Sequence, residues 1–254
     1  MQNPGRLFSA FLLAAVASCS GLAQTIDSQP RHEIEARAVY SIPTGETNFS
    51  GTTISFSRDF DFPNRVNLDL RYTYRSENGK HKFTVFYGRT SHGSTKTLTR
   101  TIEFLNRTYT ANLEIKSEQK IHDFGAKYSY RWGTEKLRIG PQIELGVIKP
   151  SISIATTDNN SDNFREASLT KLAALIGYDI EYQASSRVNL FHSLGAIAFQ
   201  NDRLFRTEAG LKYFPSRNFG VSGGYKFINY KWVDDPNFLS ARGHGPFIGG
   251  VVRF

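Results

Sequence analysis

Charged side chains of both signs recur at every second residue along many segments of this chain, opposite rows of apolar residues. Alternate residues of a β-strand point to opposite faces of the sheet, so each such segment has one apolar and one charged face. Facing charges on neighbouring strands can form ion pairs, or they can line a narrow pore that selects among ions. The basic candidates are Arg37, Arg71, Arg75, Lys82, Lys127, Arg131, Arg138, Arg206, Lys212 and Lys226, and the acidic ones are Glu33, Glu35, Asp69, Glu144, Asp179, Glu181 and Glu208.

Catalytic patterns are weaker than this charge pattern. A hydrolase would need a serine and a histidine within hydrogen-bond distance, but His192 and Ser193 are adjacent in a predicted strand and point to opposite faces. No cluster of histidine, cysteine and acids has metal-ligand spacing, and no glycine-rich phosphate loop is present. The sequence therefore predicts no catalytic residue, no metal and no cofactor.

The element that positions the charges is clearest in residues 124–147. The apolar and aromatic side chains Phe124, Ala126, Tyr128, Tyr130 and Trp132 occupy even positions, whereas Lys127 and Arg131 occupy odd ones. After a turn at residues 133–136 the phase reverses, so that residues 137, 139, 141, 143, 145 and 147 are apolar. This pattern predicts a β-hairpin whose strands are longer than those of typical globular sheets.

The same alternation recurs along the chain and predicts about ten strands of one transmembrane, antiparallel, up-and-down β-barrel, in an all-β fold. Eight or twelve strands are the alternatives. The two faces of residues 188–199 cannot be separated, because both carry apolar side chains. Residues 52–60 alternate only weakly and are left outside the spanning set. The other predicted strands are residues 32–42, 66–75, 81–91, 167–183, 203–214, 219–232 and 243–254.

Short turns alternate with longer connections, which gives the barrel two different ends. Short turns are typical of the periplasmic side, and an even number of strands places both chain ends there. The short turns are predicted at residues 76–80, 133–136, 184–187 and 215–217. External loops are predicted at residues 43–51, 156–165 and 233–242, and residues 95–120 are predicted to form a hairpin standing above the membrane.

Composition limits the class of protein. Hydrophobic residues make up 39% of the 254 residues and the mean hydropathy is −0.38, which excludes a protein of membrane-spanning helices. Residues 1–23 are predicted to be a signal peptide cleaved after Ala23, with lipidation of Cys19 as the alternative; residues 24–254 would form the barrel. The net charge is +8, but the basic residues alternate with apolar ones, so nucleic acid is not predicted as a partner.

The last strand, GHGPFIGGVVRF, ends in phenylalanine, with Val252 and Ile248 on the same face as Phe254. It resembles the C-terminal signature of Gram-negative outer-membrane proteins, although Gly250 interrupts the apolar row and Val252 stands where an aromatic residue is common. With the leader and the repeated strands, the whole mature chain resembles small outer-membrane β-barrels of the OmpA-like and OmpW-like kind. The resemblance implies an outer-membrane monomer whose partners are the barrel-assembly machinery, outer-membrane lipid and lipopolysaccharide.

Three functional hypotheses follow. The leading one is a structural or binding barrel with external loops and a lumen plugged by its own ion pairs. The second is a narrow, porin-like channel with a mild preference for anions. The third is a lipid-modifying or proteolytic enzyme; outer-membrane proteases of the omptin kind use acids and a histidine at the external rim, where this chain has Asp158, Asp162, Asp202, Asp234, Asp235 and His244.

Basic residues of the predicted hairpin at residues 95–120 form a further candidate site. They could pair with lipopolysaccharide phosphates, because charge-assisted hydrogen bonds to phosphate are strong. The alternative is a solvated loop, since Glu103, Glu114 and Glu118 lie among them. The candidates are Lys96, Arg100, Arg107, Lys116 and Lys120.

Overall fold

A computed structural model describes residues 30–49, 51–157, 164–234 and 237–254; the predicted signal peptide lies outside them, and of Phe199 only the backbone is described. Consecutive long strands pair antiparallel, and the last also pairs with the first, from Glu33 opposite Arg253 to Asn48 opposite Phe238. The sheet therefore closes, and the predicted ten-strand antiparallel barrel is confirmed. Its strands are β1 (His32–Asn48), β2 (Arg65–Arg75), β3 (His81–Thr97), β4 (Glu114–Tyr130), β5 (Leu137–Thr156), β6 (Lys171–Gln183), β7 (Val188–Phe199), β8 (Asp202–Tyr213), β9 (Phe219–Asp234) and β10 (Asn237–Arg253).

The two ends of the barrel differ, as the alternation of turns predicted. At one end the backbones of His32 and Phe254 exchange two hydrogen bonds of 3.0 Å, so β1 and β10 end side by side. The connections from β2 to β3, β4 to β5, β6 to β7 and β8 to β9 lie at this same end. We call it the short-turn end, and the opposite one the loop end.

The outward face carries a continuous band of exposed apolar side chains. Val66 is 67% exposed, Leu145 60%, Leu172 87% and Ile248 67%. A water-soluble monomer rarely exposes so large an apolar surface, whereas a bilayer would cover it. Near the short-turn end the band is flanked by exposed aromatic rings, as an interfacial girdle requires: Tyr74, Trp132, Tyr182 and Tyr213.

The structure separates the faces of β7, which the sequence left open. Ser193 is buried in the barrel interior, whereas Leu190 is 42% exposed on the outside. His192 also points outward, since its Nε2 lies 3.0 Å from Thr207 Oγ1 and its ring packs on Tyr178 with a centroid distance of 5.4 Å. None of the helices that the structure describes is long and apolar enough to cross a membrane.

Several strands continue beyond their predicted bounds at the loop end. The predicted external loop at residues 233–242 is wrong, because β9 runs to Asp234 and β10 starts at Asn237. Strands β1 and β3 likewise extend to Asn48 and Thr97. The physical reason is that a strand above the bilayer needs no apolar outward face, so its alternation weakens while its hydrogen bonding continues.

Residues 52–60 indeed lie outside the ten long strands. They form a two-residue strand, Ile54–Ser55, paired with β1, and a π-helical turn, Phe56–Phe60. The prediction of one separate hairpin at residues 95–120 is corrected, because both of its ends belong to the long strands β3 and β4. Strands β3 and β4 pair as far as Thr97 opposite Glu114, and beyond them a small hairpin, Ile102–Phe104 with Arg107–Tyr109, buries its apolar side chains. Two further short strands, Trp132–Gly133 and Arg165–Ser168, pair with β5.

The two loops after β1 and β3 fold onto inward side chains of the strands and close the barrel at the loop end. Burial of large apolar groups is the main driving force for such packing. We call this cluster the apolar cap. Its loop members are Phe49, Ile54, Phe56, Phe60, Phe62, Leu98, Ile102, Phe104 and Tyr109, and its strand members are Ile115, Ile148, Ile152, Ile154, Ala173, Leu175, Leu204, Tyr230, Trp232, Leu239 and Ala241.

Candidate functional site: the closed lumen

Between the short-turn end and the apolar cap, the lumen is filled by the charged residues that the alternation placed on the inward face. Glu33, Glu35 and Arg37 all lie on the inward face of β1, and each is no more than 2% exposed. Buried charges at this density require partners, because an unpaired buried ion loses its hydration without compensation. We call this set of paired side chains the ion-pair network.

In the layer nearest the short-turn end, each acidic side chain contacts more than one basic side chain. Glu33 accepts from Lys212, from Arg75 at 3.2 Å and from Arg253 Nε at 3.0 Å. Glu181 accepts a hydrogen bond from Arg131 Nη1 at 2.6 Å. Lys82 Nζ lies 2.6 Å from Glu181 and 2.9 Å from Asp179, so it bridges the two acids.

The middle layer is centred on Arg37 and Arg71. Arg37 donates to both oxygens of Glu35, at 2.6 and 2.9 Å, in the bidentate geometry that strengthens guanidinium–carboxylate pairs. Arg71 donates to Glu208 and also lies 3.2 Å from Asp69. Lys226 completes the layer with a 2.8 Å contact to Asp69.

The layer nearest the cap is centred on Arg206. Its two terminal nitrogens donate to Glu144 Oε1 and, at 2.7 Å, to Asp123 Oδ2. Lys127 Nζ lies 3.3 Å from the other Glu144 oxygen. The sequence did not single out Asp123, because it precedes the residues on which the pattern was clearest.

The network crosses the lumen rather than following single strands. Arg71 of β2 reaches Glu208 of β8, and Arg206 of β8 reaches Asp123 of β4, although neither pair of strands is hydrogen-bonded. Lys82 of β3 reaches Asp179 of β6 in the same way. These contacts therefore join opposite walls of the barrel and obstruct it.

Inward aromatic rings fill the space beside the charges. The guanidinium of Arg37 lies 4.3 Å from the ring centroid of Phe247, and that of Arg206 lies 5.0 Å from Phe86. Cations over ring faces at these distances are attracted by the quadrupole of the ring. Sequence reasoning singled out only charged side chains on the inward face and missed Phe86 of β3 and Phe247 of β10.

The remaining free volume shows how far the lumen is blocked. The short-turn end opens into a vestibule of about 860 Å³ lined by Arg75, Arg131 and Arg138. Within the network only about 30 Å³ is left, enough for two or three water molecules at about 10–15 Å³ each. None of the residues that line this vestibule belongs to the apolar cap.

The structure brings together every predicted lumen residue except Arg138. Its side chain lies in the vestibule, where Nη1 donates to the carbonyl oxygen of Asn78 at 2.9 Å. Residue 138 is at the end of β5, so its side chain reaches the turn rather than the network. The paired set is Arg37, Asp69, Arg71, Arg75, Lys127, Arg131, Glu144, Asp179, Glu181, Arg206, Glu208 and Lys212.

A small cavity of about 60 Å³ lies between the network and the cap. Ser41 Oγ lies 3.3 Å from His92 Nε2, and His92 Nδ1 lies 3.0 Å from the carbonyl oxygen of Pro63. A carbonyl only accepts, so Nδ1 carries the proton and Nε2 accepts from Ser41. Sequence reasoning missed this pair, because its members are on different strands.

The size of this cavity and the polar atoms beside it suit water better than a substrate. Gln119 Nε2, Asp123 Oδ1 and Tyr230 Oη are buried beside the cavity with no hydrogen-bond partner among the described residues. About 60 Å³ holds a few waters that can satisfy these atoms, but it is too small for a peptide or a lipid. The serine–histidine pair is thus positioned like a nucleophile and base without room for a substrate.

The rim candidates for catalysis that the structure describes, His244, Asp202 and Asp234, have separate partners. His244 points outward, with Nδ1 2.5 Å from Tyr225 Oη, and lies opposite Phe227 on β9. Asp234 is opposite Asn237 at the end of the same hairpin, and Asp202 contacts Lys171 at 3.2 Å. Asp158, Asp162 and Asp235 lie outside the described residues.

A charged contact joins the two loops of the cap. Arg100 donates to both oxygens of Asp59, at 2.9 and 2.7 Å, and also to the carbonyl oxygen of Thr53 at 2.7 Å. Burial alone would raise the pKa of Asp59, but hydrogen bonds from Arg100, the Ser55 backbone N–H and Arg58 lower it from 3.8 to about 2. The pKa of Arg100 is raised in turn, by its hydrogen bond to Asp59.

This contact predicts that the loops loosen in acid. Because the pKa of Asp59 is lower in the folded state, its stabilisation is complete above about pH 4 and is lost as pH falls towards about 2. Hydrogen exchange of the Leu105 amide, which donates to Phe49 O across the loops, should report this loss after correction for the intrinsic pH dependence. Asp59→Asn should abolish the dependence; an equal acid loss in that variant would contradict it.

The predicted lipopolysaccharide candidates are dispersed. Arg100 joins the two loops, and Lys96 Nζ donates to the carbonyl oxygen of Arg58 at 2.8 Å. Arg107 belongs to the small hairpin. Lys116 is exposed on the outside of β4, and Lys120, on the same face, lies 2.8 Å from Glu118.

The residues of the predicted C-terminal signature lie on the outside of β10 and at its end. Ile248 is 67% exposed in the apolar band, and Phe254 is 39% exposed at the short-turn end, stacked on His32 with a centroid distance of 5.4 Å. Val252 is paired with Ile34 of β1 and Phe219 of β9. The signature therefore forms the seam at which β10 meets β1.

Comparison with known proteins supports the fold. No protein-family model and no curated protein sequence matches the chain. The structure is similar to that of the outer-membrane protease OmpT from Escherichia coli, with a TM-score of 0.61 and 9% identity over 91% of this chain and 99% of that one. The translocator domain of the autotransporter NalP from Neisseria meningitidis has a TM-score of 0.47 and 14% identity over 98% of this chain and 96% of that one. Neisserial surface protein A has a TM-score of 0.38 and 13% identity over 88% of this chain and 97% of that one. The predicted resemblance to outer-membrane β-barrels is thus confirmed for the fold.

Proposed function

We propose that this protein is a non-conducting barrel of the outer membrane that anchors its capped loop end at the cell surface. The single observation that carries this proposal is the doubly closed lumen, with the ion-pair network on one side and the apolar cap on the other. The exposed apolar band and the outer-membrane fold support the location. The position of His32 and Phe254 at the short-turn end supports an orientation with the loops outside, because short turns are typical of the periplasmic side.

The porin-like alternative needs a continuous polar path with an excess of one charge sign. In this lumen, acids and bases instead pair across the walls. Of the residues that form the apolar cap, only Tyr109, Tyr230 and Trp232 carry a polar side-chain atom, too few to replace the hydration of an ion. An enzyme role has one geometric candidate, the Ser41–His92 pair, but its cavity of about 60 Å³ is too small for the substrates of such enzymes. The closed barrel is therefore the function that the geometry favours.

Conductance measurements test the proposal directly. The full mature chain, refolded from detergent into planar bilayers, should show no steady conductance above the bilayer background, because neither layer offers an ion a hydrated path. Steady, anion-selective conductance from the unmodified protein would contradict the closed lumen and favour the pore. Heat-modifiable mobility on gels should accompany each measurement as proof that the barrel is folded.

A further inference from the structure

The outside of the barrel at the loop end carries basic residues without a carboxylate beside them. In the lumen each basic group of the network has an acidic partner, whereas Arg89, Lys149, Arg203, Lys231 and Arg242 have no ion pair among the described residues. Exposed cations need no partner in water. These ones, however, lie just above the apolar band, where lipid headgroups would meet the protein.

Two of these basic residues, Arg89 and Lys149, lie in one row with a histidine between them. Arg89 of β3 is directly opposite His122 of β4, which is directly opposite Lys149 of β5. Residues opposite each other share a face, so the three side chains form one row across three strands. We call it the first basic row. His122 is held by Tyr87, whose hydroxyl lies 2.9 Å from Nδ1.

Apolar side chains lie immediately below this row, on the side of the bilayer. Tyr87, Phe124 and Val147 are in register with one another, two residues nearer the short-turn end. Phe124 is 55% exposed. A molecule seated here would meet cations at one level and an apolar surface at the next.

A second basic row lies on the opposite side of the ten-strand barrel. Arg203 of β8 is directly opposite Lys231 of β9, and Arg242 of β10 is opposite Asn229, two residues from Lys231. Below it, Phe205 and Phe227 pack edge to face with a centroid distance of 5.9 Å. The same order of cations over apolar groups therefore occurs twice.

The spacing fits phosphate. Arg89 and Lys149 are two strands apart, about 10 Å between backbones, and their long side chains can converge on one tetrahedral anion. The guanidinium forks of Arg203 and Arg242 can donate two hydrogen bonds each to such a group. A soluble anion would contact the cations alone, whereas a lipid would also contact the apolar side chains below them.

We propose that the two basic rows bind the phosphate groups of lipopolysaccharide in the outer leaflet, while its acyl chains cover the apolar side chains below. This inference rests on the proposed outer-membrane location, with the loop end outside. Lys96 and Arg100, two of the candidates predicted from the sequence, use their donors within the cap. The proposal therefore rests on residues on the outward face of the strands.

The test uses the refolded full chain and purified rough-type lipopolysaccharide, titrated in detergent and followed by native mass spectrometry. The variants are Arg89→Gln with Lys149→Gln, and Arg203→Gln with Lys231→Gln. The matched control, Lys80→Gln with Lys136→Gln, removes the same charge from exposed residues at the short-turn end. Each row variant should weaken binding roughly tenfold or more, because each basic residue near an anionic surface contributes a several-fold factor.

Two further arms identify the ligand. Dephosphorylated lipopolysaccharide should bind the wild type and both row variants equally weakly, and phosphatidylglycerol should not reproduce the dependence on the rows. The proposal would be overturned if the row variants bound lipopolysaccharide as tightly as the wild type, or if the control variant lost as much affinity as they do. It would also be overturned if phosphatidylglycerol binding depended equally on the rows. Conductance of the same samples tests the proposed function separately. A barrel that conducts ions but still needs its basic rows to bind lipopolysaccharide would refute only the closed lumen.

Discussion

Replacing Glu144 by alanine should lower the free energy of unfolding by about 3–5 kcal/mol, the usual cost of breaking a buried ion pair from one side. Glu144 is 1% exposed and accepts from Arg206 and Lys127. After the change, Arg206 keeps Asp123 at 2.7 Å, but Lys127 has no other ion pair among the described residues. The variant should show a clearly lower urea midpoint in phospholipid vesicles, read from heat-modifiable mobility.

The matched control is an ion pair of similar length in water. Glu77 lies 2.9 Å from Arg31 at the short-turn end, and its side chain is 83% exposed. Exposed pairs contribute at most about 1 kcal/mol, so Glu77→Ala should leave the midpoint nearly unchanged. A double change, Glu144→Met with Lys127→Met, should recover part of the loss, because apolar replacement of both partners removes the stranded charge. If Glu144→Ala were as mild as Glu77→Ala, the network would be hydrated and the lumen open.

The sequence predicted the barrel and its faces because lipid and lumen impose opposite chemistry on alternate residues. In β4, for example, Phe124 and Lys127 could be assigned to opposite faces without knowing any partner strand. The partners of each charge could not be predicted in this way. Arg71 and Glu208 are separated by 137 positions, and they meet only because the barrel closes with one particular register.

The apolar cap was missed because the pattern changes phase inside a strand. In β5 the outward apolar residues end with Leu145 and Val147, and the inward ones begin with Ile148, Ile152 and Ile154. No turn separates the two sets. The change marks the level where the outside meets water and the inside meets the cap, and it is a signal that the sequence does contain. A similar change occurs in β9, between Phe227 and Trp232.

Replacing Phe60 by alanine should release the cap while leaving the barrel folded. Phe60 is fully buried, with its ring centroid 5.2 Å from that of Phe62 and 6.5 Å from that of Phe56. Truncating a buried phenylalanine costs about 3–5 kcal/mol, and here the cost falls on loops that can open locally without breaking the strand ladder. Trypsin cleavage at Arg58 or Arg100 should therefore accelerate by roughly a hundredfold or more, since cleavage follows the population of the open form.

Phe164→Ala is the control, because this phenylalanine lies on another loop and is 49% exposed, so the cleavage rate should not change. Conductance of Phe60→Ala then separates the two closures of the lumen. The network beneath the cap leaves only about 30 Å³ and joins opposite walls through Arg71 and Arg206. We therefore expect the uncapped protein to remain non-conducting, and conductance on loss of the cap alone would show that the ion pairs do not seal the barrel.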